Sequence, residues 1–187
     1  MTILLSTPTI CHRLPVKVFS RSELLPLERD VLWRIERGAI RTLTWNSLGS
    51  SITLGYWGEG DVVGQPTTRM QVYEIQCLTS VEVSILPKEL WQQALDTILR
   101  QAQQTEELLS IMHCKSAYKK TWKFLVFLSQ KFGRDVEKGR LLDLPITHEE
   151  IAETIGTTRV TVSRMLQQFE AEGKLRREKR RLILCQG

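Results

Sequence analysis

Two arginines, Arg159 and Arg164, lie in the stretch GTTRVTVSRMLQQFE, among threonines and valines that lose side-chain freedom in a helix. A guanidinium is a fork of fixed donors that bonds guanine O6 and N7 together. The hydroxyls of Thr158, Thr161 and Ser163 are short and suited to phosphate oxygens. Further on, six Lys and Arg occur in the eight residues from Lys174 to Arg181, in GKLRREKRRLILC. That density suits a sequence-independent grip on phosphates. The chemistry these residues offer is recognition of a polyanion, with no covalent step.

Such side chains need elements that aim them. Thr147 followed by Glu150 fits a capping box, so a short helix is expected from His148 to Ile155, with Ile151, Ala152 and Ile155 turned inward. Gly156 ends it, as glycine commonly does just past a helix. Thr158 then caps a second helix. Val162, Met165, Leu166 and Phe169 form that helix's buried stripe, which leaves Arg159, Val160, Ser163 and Arg164 on the other side near its start. This is the order of a helix-turn-helix, whose second helix enters the DNA major groove with its first residues against the bases. GKLRREKRRLILC reads as a two-stranded hairpin, a wing that lies along the backbone. Thr147, Thr158, Thr161, Arg176, Arg177 and Lys179 are the candidate phosphate contacts.

The rest of the 187 residues divides into two parts. Residues 13–90 carry short apolar alternations separated by glycine turns: Val31, Trp33 and Ile35; Ile40, Leu43 and Trp45; Val81, Val83 and Ile85. They predict a small antiparallel sandwich or barrel. Past Pro87, Leu95, Ile98, Ala102, Thr105, Leu109 and Met112 repeat at alternating steps of three and four, the seam of a long helix. Such a seam packs on its own domain or on the same helix of a second chain. KKTWKFLVFLSQKFG is apolar on most sides and predicts a buried helix stopped at Gly133, and GRDVEKGRLLDLPI reads as a loop and short strand.

Composition narrows the function classes. Apolar residues are 42% and charged residues 25% of the chain, which is ordinary for a globular protein. No apolar run reaches membrane-spanning length, and the N-terminus lacks the charged-then-apolar order of a secretory signal, so a cytoplasmic protein is expected. Residues 1–114 hold 10 Lys and Arg against 12 Asp and Glu, whereas residues 115–187 hold 16 against 9. The basic excess lies at the end that carries the helix-turn-helix. Cys11, Cys77, Cys114 and Cys185 are far apart in the chain, with no C-x-x-C pair, so reduced thiols are expected and no metal. A metalloenzyme built on the sandwich needs clustered ligands, yet His12, His113 and His148 all lie outside residues 30–86. No enzyme activity is expected.

ITHEEIAETIGTTRVTVSRML resembles the DNA-binding motif of the CRP/FNR superfamily of bacterial transcription regulators, and within it TIGTTRVTVSRML is most similar to the cyanobacterial nitrogen-control branch. VLWRIERGAIRTL, GYWGEGDVVG and VEVSILPKELW resemble strands of the family's sensor domain. The resemblance implies an α+β fold: an N-terminal β jelly-roll, cyclic-nucleotide-binding-like sensor domain over residues 1–90, a dimerisation helix over 91–116, and a C-terminal winged helix-turn-helix over 117–187. It implies a homodimer on double-stranded DNA, with RNA polymerase as a further partner and no membrane. Arg159 and Arg164 fall where the family places base-reading arginines. Val160 replaces the glutamate of cyclic-AMP-responsive members, and valine offers only apolar contact, for example to a thymine methyl. The implied operator is a palindrome with GTA and TAC arms.

The sensor cassette departs from the family pattern. Gln65 stands where cyclic-nucleotide binders have glutamate, and Gln71 stands near their arginine position, with Arg69 two residues away. Glu106 aligns with a sensor-helix glutamate of the nitrogen regulators, but its partner position is Gln101, beside Arg100. Gln65, Arg69, Gln71 and Glu106 are the candidate effector residues. With no well-placed cation for a cyclic phosphate, cyclic AMP is not expected, and no cofactor is implied. Only Cys11 lies where oxygen-sensing members cluster several cysteines, and nothing pairs His113 with a second haem ligand. The competing reading is a small-molecule-binding adaptor with a degenerate DNA-binding domain; it predicts that no DNA sequence is bound.

Overall fold

The computed structural model describes residues 15–178 and 181–185, so Cys11, His12 and Lys179 lie outside the described residues. The front of the chain forms two sheets. One has the order β1 (Val16–Phe19), β7 (Val81–Leu86), β2 (Leu32–Arg37), β5 (Val62–Val63); the other has β4 (Ser51–Trp57), β3 (Ile40–Trp45), β6 (Glu74–Cys77). All described pairings in them are antiparallel. Trp33 and Ile35 from β2, Ile40 from β3, Ile75 from β6, and Val81 and Val83 from β7 meet in one core between the sheets. The alternating residues of the sequence thus face one another, as in a jelly-roll sandwich.

Two alternations end differently from their pattern. Ile85 lies opposite Trp33 on the ladder, so it shares the inner face, but at the sandwich end it stays exposed. Leu86, the next residue, is buried on the outer face with Leu32, Val62 and Ala94, because the 3-10 turn Lys88–Ala94 folds Leu90 and Trp91 over that side. Trp45, at the end of β3, is also exposed, beyond a register shift between Thr42 and Leu43.

Helix α1 (Leu95–Met112) follows, then α2 (Ala117–Phe132), capped by Ser116 and ended at Gly133. The stretch after Gly133, read from sequence as a loop and one strand, is a hairpin of β8 (Gly133–Val136) and β9 (Gly139–Leu142). A glycine opens each strand, which hides the pairing signal in a run of small and charged residues. The chain closes with α3 (His148–Ile155), α4 (Arg159–Ala171), β10 (Leu175–Glu178) and β11 (Arg181–Leu184). The wing is therefore more than a hairpin: β11 also pairs with β9, giving the sheet order β10-β11-β9-β8.

One core runs through α2, α3, α4 and the wing sheet, and it takes in Ala39, Tyr56 and Leu78 of the front sheets. Polar contacts reinforce this crossing. Lys131 of α2 pairs with Asp61 at 2.6 Å, and its Nζ also donates to Gln104 of α1 at 2.6 Å. Both ends of the ion pair are largely buried, and Asp61 additionally accepts from the Gly58 amide. Removing one partner of a buried pair leaves an uncompensated charge and costs about 3–5 kcal/mol. Lys131→Met should therefore lower the unfolding free energy by about that amount in a denaturant titration. An unchanged midpoint would show the pair to be solvated.

Candidate nucleic-acid interface

Thr147 caps α3, its hydroxyl accepting from the Glu150 amide while the Glu150 carboxylate accepts from the Thr147 amide. Gly156 ends the helix in the left-handed conformation at φ 65°, which costs an L side chain about 1–2 kcal/mol. Thr158 caps α4, accepting from the Thr161 amide at 3.2 Å. Its hydroxyl also lies 3.0 Å from that of Thr161. One of the two hydroxyl protons is used between them, so the pair retains one O–H to offer outward.

The buried stripe of α4 is Val162, Met165, Leu166 and Phe169. Phe169 is fully buried and meets the rings of Tyr118 and Trp122 edge-on, at 4.8 and 5.1 Å between centroids. This fixes which side of α4 faces solvent. Arg159, Val160 and Arg164 are all exposed there, Val160 at 77%. Ser163 is half-buried: its Oγ lies 2.8 Å from Nδ1 of His148, the first residue of α3.

Beside α4 the wing presents Arg176, which is exposed, and Arg177, whose Nε forms an ion pair with the Glu170 carboxylate of α4 at 2.7 Å. That pair ties the wing to the recognition helix, so Arg177 must share its charge between Glu170 and any phosphate. Lys179 lies outside the described residues. His148 is a member of this surface that sequence reasoning passed over. Only its place at the helix start was visible in the sequence, and its proximity to Ser163, Arg159 and Arg177 is tertiary. Burial, then Arg177 and Arg159, pull its pKa below the usual imidazole value, with Glu170 acting weakly in the other direction.

On α1 the seam residues Leu95, Ile98, Ala102, Thr105 and Leu109 are exposed, Leu95 at 57% and Leu109 at 58%, and Met112 is half-buried against the helical core. Gln101, Leu108 and Ile111 form the side that packs on the chain itself. The seam is thus an apolar stripe that the monomer leaves in water.

Between the front sheets and α1 lies a cavity of about 250 Å³, lined by Thr42, Leu54, Trp57, Val62, Val63, Thr67, Thr68, Tyr73, Ile98, Gln101, Ala102 and Thr105. None of these side chains carries a formal charge. Gln65, Arg69, Gln71 and Glu106 are not brought together there. The turn Gln65–Thr67 presents Thr67 and Thr68 to the cavity instead, Arg69 and Gln71 are exposed, and Glu106 lies on the exposed side of α1. Gln101 lines the cavity and donates to the Val62 carbonyl. Among the described residues no three His, Cys, Asp or Glu side chains are grouped to hold a metal, and no helix is long and apolar enough to cross a membrane.

Residues 119–186 match a family model described as a Crp-like helix-turn-helix domain. The regulatory protein CysR of Synechococcus elongatus is 36% identical over 176 residues, covering 92% of this chain and 84% of that protein. A global nitrogen regulator of Synechocystis is 30% identical, covering 81% and 76%. A CRP-family transcriptional regulator from Thermus thermophilus shares the fold with a TM-score of 0.76 at 24% identity, covering 91% of this chain and 92% of that one. A cyclic nucleotide-binding domain containing protein from Listeria monocytogenes shares it at 0.77 and 17% identity, covering 91% and 88%.

The cap of α4 holds the arginines in register, and its loss is measurable without DNA. Thr158→Ala should destabilise the chain by about 1 kcal/mol in thermal or urea unfolding, and Thr158→Ser should restore most of it. Equal loss in both variants would mean that the methyl, not the hydroxyl, matters.

Proposed function

This chain belongs to the CRP/FNR superfamily of transcription regulators, and on that premise we propose that it acts as a homodimer on a palindromic operator with GTA- and TAC-like arms. The observation that carries the proposal is the one-sided exposure of Arg159, Val160 and Arg164 at the head of a helix whose opposite side is buried. In this reading Arg159 and Arg164 bond guanine edges, Val160 covers a thymine methyl, and Ser163 supplies a hydroxyl between them. The Thr158–Thr161 pair, Thr147, Arg176, Arg177 and Lys179 hold the flanking phosphates. The exposed α1 stripe from Leu95 to Leu109, with Met112 at its end, joins two copies and sets their recognition helices about 34 Å apart, one turn of DNA. RNA polymerase is the further partner.

An effector, where one acts, enters the cavity between the sheets and α1. Its uncharged lining offers no cation to a cyclic phosphate, so transcription control by this chain does not depend on cyclic AMP.

Selection of operators from a random duplex pool with the purified protein tests the reading directly. A palindrome with half-site centres one helical turn apart is expected, and failure to enrich any sequence would favour the adaptor alternative. On the selected operator, Arg159→Ala should cost about 1–3 kcal/mol and relax preference at one base pair, whereas Arg176→Ala should weaken all duplexes alike and lower the salt dependence by about one ion. Leu109→Glu should give a monomer in sedimentation and lose operator binding. A dimer that persists with Leu109→Glu and with Ile98→Glu would place the subunit contact elsewhere.

A further inference from the structure

His148 is the first residue of α3, yet its ring is joined to the middle of the recognition surface. Its Nδ1 lies 2.8 Å from Ser163 Oγ, and Ser163 stands directly before Arg164 on α4. The charged groups that face the imidazole are Arg177 from β10 and Arg159 and Glu170 from α4. Glu170 is already engaged by Arg177, so the ring's neighbourhood is net cationic in the absence of DNA.

We propose that His148 is a positioning residue for base recognition, which sets the hydrogen-bond sense of Ser163 and does so as a function of pH. The inference rests on the DNA-binding reading above. A neutral imidazole has one donor and one acceptor nitrogen, so the His148–Ser163 bond runs in either sense. When Nδ1 accepts, the serine proton is spent on the ring and Ser163 faces DNA as an acceptor. An imidazolium has a proton on both nitrogens. Nδ1 then donates, Ser163 Oγ accepts, and the serine O–H is released to donate outward to a guanine edge or a phosphate.

The two states are separated by DNA itself. In the free protein, burial and the two arginines lower the His148 pKa and disfavour the imidazolium. A phosphate brought beside Arg177 and the guanine acceptors met by Arg159 offset that cationic field and favour the imidazolium. The sign follows from linkage: the complex binds the proton more tightly than the free protein. Affinity therefore rises as pH falls through the pKa in the complex, levels below the pKa of the free protein, and falls as pH rises.

The test is fluorescence anisotropy of the full chain with its selected operator, with single-base variants of it and with a random duplex, from pH 5.5 to 8.5 at constant ionic strength. For the wild type, operator affinity should rise by up to about tenfold per pH unit on acidification, the limit for one proton taken up. Preference at the base pair facing Ser163 should shift toward a major-groove acceptor over the same range. His148→Asn and, as a second variant, His148→Gln should flatten both responses. Ser163→Ala should abolish the shift in base preference while leaving the charge-driven rise, which the random duplex shares. A flat wild-type profile, an unchanged profile in both His148 variants, or a rise in affinity with no change in base preference would each overturn the inference while leaving DNA binding itself intact. Absence of selective binding at every pH would instead overturn the DNA-binding reading, and this inference with it.

Discussion

The burial of α2 on both sides is the constraint from which the rest of the architecture follows. Phe124 of α2 meets Tyr56 of β4, with ring centroids 5.7 Å apart. Trp122 and Tyr118, on other sides of the same helix, receive Phe169 of α4. Aromatic burial of this kind dominates core energetics, and edge-to-face pairs add about 0.5–1.5 kcal/mol each beyond area. A single helix thereby sets where the sensor sheets end and how the recognition helix lies. Tyr56, its hydroxyl 2.6 Å from that of Thr154, has its pKa pushed up to about 12, above all by burial. It stays neutral, and so it serves the contact only as a hydrogen-bonding ring.

The front and back of the chain are consequently joined more closely than a boundary at residue 117 implies. Arg41 of β3 is largely buried, and its guanidinium donates to Glu153 of α3 and to Gln76 of β6. Thr53 and Tyr56 both reach Thr154 on α3. The first helix of the helix-turn-helix therefore rests on the sensor sheet. Trp57 forms one wall of the cavity and lies under Lys131 of α2, whose Nζ is 5.5 Å from its ring centroid. Occupancy of the cavity and the orientation of α2 thus meet at one tryptophan.

Much of the DNA-facing half was legible because its signals are local. Caps at Thr147 and Thr158, a glycine stop at Gly156 and a four-residue apolar stripe each act within one or two turns of helix, so the chain spells them in order. The β8–β9 hairpin was less legible, since its strands are short and rich in glycine and charged residues, and β9 also pairs with β11 from far along the chain. The lining of the cavity was harder still. Family position pointed to Gln65, Arg69, Gln71 and Glu106, but the turn at Gln65–Thr67 aims Thr67 and Thr68 into the cavity instead.

By itself the sequence determined the helix-turn-helix, the exposed arginines and the apolar seam, because helix periodicity and capping relate residues a few positions apart. Only the tertiary structure decided that Gln101 and not Glu106 meets the cavity, that Arg41 reaches Glu153, and that His148 reaches Ser163. These partners are brought together by packing across elements, and no local pattern of residue types records which side chain a neighbouring element will present.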